Sequence, residues 1–196
     1  MDLSTLQDRE LAERACSGIE GAFRELLRRY ERPVFSLVFR VVRDRSTAED
    51  LSQEAFVRAF QAIATYDPSY KFSSWIFKIA NNLTIDHLRR RKLVTVSIEG
   101  SPHADTAEAR ERSRIHLEAT GENPERFTEN RELGSHIEQA IAKLRPEYRT
   151  AVLLRHVEGY GYEEVAEIME VPLGTAKTFI HRGRLQLKQL LASVAS

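Results

Sequence analysis

Apolar side chains recur at three- and four-residue spacing along residues 20–92 and again from Leu133 to Leu191, and the pattern lapses between them. Such spacing is the mark of helices with one face turned inward. The chain is therefore expected to be all-α, with two small helical domains joined by a flexible linker, bounded at 1–92, 93–133 and 134–196. Residues 4–16 are expected to form a short amphipathic helix with Ser4 as N-cap, and residues 20–43 a longer one. Pro33 falls inside the second and predicts a kink or break. Ser46-Thr47-Ala48-Glu49 reads as a capping box that opens a helix over 47–64, with Leu51, Ala55, Phe56, Ala59, Phe60 and Ile63 inward. Tyr66-Asp67-Pro68-Ser69-Tyr70 has turn chemistry, and a further helix follows over 72–91.

Charge sharpens this plan. The chain of 196 residues carries 29 Lys+Arg against 29 Asp+Glu. The zero balance conceals two basic segments, 72–92 and 173–196, each net +4. They are separated by 93–133 at −4 and 134–172 at −3. This layout suggests two contacts with a polyanion, although the last turns of helices attract Lys and Arg in any protein.

Several classes drop out. No uncharged apolar run approaches the roughly 18 residues of a membrane span, and the polar, acidic start MDLSTLQDRELAER is unlike a secretory signal. Cys16 stands alone, so neither an internal disulfide nor a cysteine zinc site is expected. The six histidines lack metal-binding spacing, there is no GxxxxGK[ST] loop, and no serine or cysteine has an evident base partner. We expect a soluble, cytoplasmic, non-enzymatic protein without catalytic residues, metal, cofactor or small-molecule substrate.

The sharpest local signal lies in residues 145–190. A helix from Arg145-Pro146-Glu147 through His156 precedes a turn at Glu158–Gly161. The short helix Tyr162–Met169, a tight turn at Val171-Pro172-Leu173-Gly174 and a last helix from Thr175 complete a helix-turn-helix. Ala166 is small where the helices would cross, and Val165, Ile168, Val171 and Ile180 supply a miniature core. Lys177, Thr178, His181 and Arg182 share one face of the last helix, as side chains entering a major groove must. A solvated bundle face would carry similar residues. A free-standing dimeric repressor would share this motif, but would leave the polar-faced helix DLSQEAF and the helix FSSWIFKIANN without a purpose.

Three stretches, AEDLSQEAFVRAF, FSSWIFKIANNLTIDHLRRR and LRPEYRTAVLLRHVEGYGYEEVAEIMEVPLGTAKTFIHRGR, stand in order along the chain. Together they resemble an RNA polymerase sigma factor of the extracytoplasmic-function (ECF) group within the sigma-70 family. The resemblance implies that 1–92 is a region 2-like domain and 134–196 a region 4-like domain. It implies docking on core polymerase, at the β′ coiled coil through Asp50, Gln53, Glu54 and Val57, and at the β flap. It implies −10 recognition and melting by Asn81 and Asn82, with Tyr66 and Tyr70 stacking on a flipped base and Lys78, Arg89 and Arg90 on phosphates. It implies −35 reading by Arg149, Lys177, Thr178, His181 and Arg182. An anti-sigma factor, often membrane-bound in this family, is a further expected partner; it would hide the Asp50–Val57 face and the recognition helix, and hold the chain at the inner face of the membrane.

Overall fold

The computed structural model describes residues 2–98 and 134–192. Among them the regular structure is helical: α1 (Asp8–Cys16), α2 (Glu20–Val42), α3 (Arg45–Ala62), α4 (Phe72–Ile98), α5 (134–142), α6 (Pro146–His156), α7 (Tyr162–Met169) and α8 (Leu173–Ala192). Short 3-10 turns at Leu3–Thr5 and Ile63–Thr65 punctuate the first half. The expected linker begins later than residue 93, because α4 runs on to Ile98; the rest of that segment lies outside the described residues.

The ends of the helices differ from the sequence expectation for identifiable reasons. Asp2, not Ser4, caps the opening turn, and α1 starts only at Asp8. Asp44, not Ser46, caps α3: its carboxylate accepts the Thr47 amide at 2.8 Å. Glu49 pairs with Arg45 instead of closing a capping box. Pro33 does not interrupt α2, which stays helical from Glu20 to Val42. The missing amide costs a helix about 3 kcal/mol in isolation. Leu26, Val34, Leu37 and Val38, all fully or nearly fully buried on the same helix, outweigh it.

α1 to α4 enclose Leu11, Leu26, Val34, Phe72, Ile76 and Phe77. A charged clasp ties the N-terminus down. Arg29 reaches Asp8 (2.7 Å), Glu25 (2.9 Å) and the Ser4 carbonyl (2.8 Å), and the Tyr30 hydroxyl donates to Asp8. In the second half, Leu153, Leu154, Val165, Ile168, Ala176 and Ile180 are buried where α6, α7 and α8 meet. Of the miniature core that the spacing predicts, Val165, Ile168 and Ile180 are buried and Val171 is half-buried against it. The turn between α7 and α8 is formed by Glu170 in the left-handed region (φ 52°), whose amide bonds back to Ala166 and Glu167. Consequently α8 begins at Leu173, two residues before the expected Thr175.

The two halves are not separate bodies. Their buried apolar residues form one continuous cluster, bridged where Phe77 of α4 meets Tyr160 edge-on at 5.6 Å.

Candidate nucleic-acid interface

Three surfaces carry the candidate residues. The first is a groove of about 780 Å³ between α2 and α3, walled by Phe23, Leu27, Phe35, Phe56, Val57 and Phe60. Phe60 packs edge-on against Phe23 at 5.1 Å, yet it is 48% exposed and Val57 50%. Phe60 is thus not the inward residue its spacing suggests: one edge meets the core and the other is left open. Gln53 and Val57 line this groove, while Asp50 and Glu54 sit on the neighbouring exposed flank of α3, Glu54 paired with Arg58 at 2.7 Å. Phe23, Phe35 and Phe60 were missed by sequence reasoning, because periodicity assigns a face but does not reveal that a face lacks a cover.

The second surface is the loop before α4 and the helix's first turns. Tyr66 is not available for stacking. It is 5% exposed, packs on Phe72 and Trp75 at 5.7 and 5.1 Å, and its hydroxyl donates to the Tyr70 carbonyl. Burial pushes its hydroxyl up to about 12. Tyr66 instead fixes the loop, helped by Asp67, which accepts the Ser69 amide at 2.9 Å. The result holds Tyr70 outward, 58% exposed. Asn81 is likewise turned inward, 4% exposed with its Oδ1 unpartnered, so Asn82 alone of the pair lies at the surface side. Lys78 joins Asn82 on that side, and Arg89 and Arg90 are exposed a few turns on.

The third surface is α8. Lys177, Thr178, His181 and Arg182 are all exposed. Thr178 Oγ1 donates to the Gly174 carbonyl at 2.8 Å, which orients the side chain against its own helix. Lys177, His181 and Arg184 border a cleft of about 290 Å³ whose floor is Tyr162 and Ile180. Arg155 lies over the Tyr162 ring at 4.7 Å and donates to the Tyr160 carbonyl at 2.8 Å. Partial burial, then Arg184 and Arg155, lower the His156 imidazole below its usual range. Arg155 and Arg184 extend the basic surface beyond the expected set. Their signal in the sequence was only charge, which does not say which helix face a residue takes.

Arg149 departs most from expectation. It is 7% exposed and its guanidinium is saturated by carbonyls. Nε donates to Ile141 (3.1 Å) and Nη2 to Leu144 (2.9 Å) and Ala142 within its own half. Nη1 donates to Val41 (2.6 Å) and Arg40 (3.4 Å) at the end of α2. Burial, then the nearby Arg43 charge, lower it to about 10. In this arrangement Arg149 fastens the two halves and does not face a ligand.

The fold and these surfaces define a class: an all-helical protein in which a basic helix face in one half accompanies a helix-turn-helix in the other. Residues 26–94 match the Sigma-70 region 2 family and residues 136–187 match Sigma-70, region 4. The chain is 34% identical over 177 residues to the ECF RNA polymerase sigma factor SigW of Bacillus subtilis, covering 89% of this chain and 91% of that protein. It is 34% identical over 191 residues to the RNA polymerase sigma-H factor of Pseudomonas aeruginosa, covering 96% of each. The sigma factor RpoE of Bartonella quintana, solved in complex with the anti-sigma factor NepR, shares the fold at a TM-score of 0.68 and 22% identity, over 87% of this chain and 96% of that one. The chain belongs to the sigma-70 family, in its ECF group.

Proposed function

We propose that this chain is an alternative, ECF-type sigma factor. It binds core RNA polymerase and directs promoter-specific initiation by reading −10 and −35 elements, with no catalysis of its own. One observation carries the reading: segments matching regions 2 and 4 stand in that order in one chain. Their candidate faces fit that division of labour. The α2–α3 groove, with Gln53 and Val57 in it and Asp50 and Glu54 on its flank, suits the β′ coiled coil. Asn82, Lys78 and Tyr70, backed by Arg89 and Arg90, suit a melted −10 strand. Lys177, Thr178, His181 and Arg182 suit the −35 major groove, while region 4 docks on the β flap.

Duplex opening costs about 1–2 kcal/mol per base step, and holding a base out of the stack takes a few kcal/mol more. Polymerase supplies the rigid positioning that lets a small basic surface offset this. The exposed groove and recognition helix also suit an anti-sigma factor; bound to a membrane protein of that kind, the chain would wait at the inner membrane face. Among the described residues, no helix is long and apolar enough to cross a membrane.

The test is run-off transcription with core enzyme on a genomic promoter library. Lys177→Ala and Arg182→Ala are expected to lose dependence on the −35 element. Asn82→Ala is expected to lose dependence on the −10 element while still co-eluting with core. A chain that ignores core enzyme and binds duplex DNA as a homodimer would refute the reading.

A further inference from the structure

Helix α1 carries none of the residues proposed to meet DNA or polymerase, yet it is tied to both ends of the Tyr66–Tyr70 loop. At the loop's entrance, Cys16 Sγ donates to the Ile63 carbonyl at 3.1 Å, in the 3-10 turn that leads to Tyr66. At its exit stands Phe72, the first residue of α4, whose ring meets Tyr30 at 5.5 Å and Tyr66 at 5.7 Å. Trp75 completes the group, 5.6 Å from Phe72 and 5.1 Å from Tyr66.

Tyr30 is the member of this aromatic cluster that reaches back to α1. Its hydroxyl donates to Asp8, whose other carboxylate oxygen takes Arg29 Nη1 at 2.7 Å. Arg29 is in turn fixed by Glu25 at 2.9 Å and by the Ser4 carbonyl at 2.8 Å. Burial, then the hydrogen bond to Asp8, raise the Tyr30 hydroxyl above its usual range, so it stays a donor at neutral pH. A phenylalanine would offer the cluster the same ring; what the hydroxyl adds is a fixed orientation. Contacts thus run from Ser4 through Arg29, Asp8, Tyr30, Phe72 and Tyr66 to Tyr70, whose carbonyl accepts the Tyr66 hydroxyl.

We propose that Asp8 and Tyr30 are positioning residues for −10 reading, with α1 a buttress that sets the shape of the Tyr66–Tyr70 loop without touching DNA. This rests on the proposed sigma reading and names, within it, residues that act through the loop. Only Tyr66 of the five loop residues is buried, so the loop takes its shape from the scaffold at its ends. Capture of a base needs groups held within about 0.5 Å by locked neighbours, and a misplacement of about 1 Å can cost about 100-fold. Loosening the buttress therefore blunts the choice of base at the −10 element and leaves α8 and the α2–α3 groove as they are.

The experiment uses the full chain with Tyr30→Phe, with Asp8→Asn and, as a control, with Glu13→Gln, which removes an exposed ion pair to Arg9 on the same helix. Trp75 is the single tryptophan, so its fluorescence reports packing around the loop. Tyr30→Phe and Asp8→Asn are expected to move its emission to longer wavelength and to raise acrylamide quenching about twofold; the control should change neither. Run-off transcription with core enzyme then uses a promoter from the genomic library, randomised across the −10 and the −35 element in turn. Both variants should narrow the −10 base preference about tenfold while keeping the −35 preference and co-elution with core. The double variant should be no worse than Asp8→Asn, because the two changes remove one hydrogen bond. An unchanged Trp75 spectrum, a retained −10 preference, or an equal loss at both elements overturns the buttress. If the unaltered chain reads the −10 element and Tyr30→Phe reads it equally well, the buttress alone falls; if the unaltered chain starts no transcript, the sigma reading falls with it.

Discussion

Gly183 marks the crossing of α8 over α6. A Cβ there would lie 2.6 Å from Val152 Cγ2 and 3.2 Å from the Tyr148 carbonyl oxygen. Alanine at this site gains about 1 kcal/mol of helix propensity, but overpacking typically costs about 1–3 kcal/mol, and a β-branched valine has little freedom to turn aside. Gly183→Ala is expected to lower the urea midpoint, and adding Val152→Ala to recover part of it. The buried tyrosines set a second limit. Removal from water pushes Tyr66 and Tyr160 up to about 12 and raises Tyr30 further, whereas tyrosine in an unfolded chain ionises near 10. Between those values the folded state keeps protons that the unfolded state has lost, so stability is whole below about pH 10 and falls as pH rises. A urea midpoint that declines from about pH 10 upward, and is recovered in part by Tyr66→Phe, is the expected result.

At the level of single helices, the start of α3 is a clean test of which residue does the capping. Asp44→Ala should cost about 1 kcal/mol, whereas Ser46→Ala, at an exposed position inside the helix, should be close to neutral in the same denaturation assay. Helix existence was legible because the three- and four-residue repeat survives in every packed segment, and the helix-turn-helix because Val165, Ile168 and Ile180 can meet only in that geometry. Helix ends were less legible. Asp44 and Ser46 are both good caps, and choosing between them depends on where the preceding left-handed Arg43 (φ 63°) releases the chain. Of the candidate site, α8 was readable because its polar face is also its exposed face. The burial of Arg149, Tyr66 and Asn81 was not legible: a polar side chain does not announce whether it will face solvent, a ligand or the chain's own interior.

For the molecule as a whole, the sequence suggested two heads on a strap, and the strap's composition carried that reading. What it could not convey is that Phe77 and Tyr160, unremarkable core residues of their own halves, meet across the seam and merge two cores into one. A 60-residue domain buries only about 60% of the surface its unfolded chain exposes, and the shared cluster adds to what the second half buries. The groove at Phe60 and Val57 leaves a different kind of debt. Kept pure and concentrated, such a chain will clump, since an uncovered oily patch is as sticky toward its own copies as toward a proper companion. Light scattering should climb with concentration, and Val57→Lys should keep the stock clear. Inside a producing cell the same liability favours synthesis in step with whatever covers that patch.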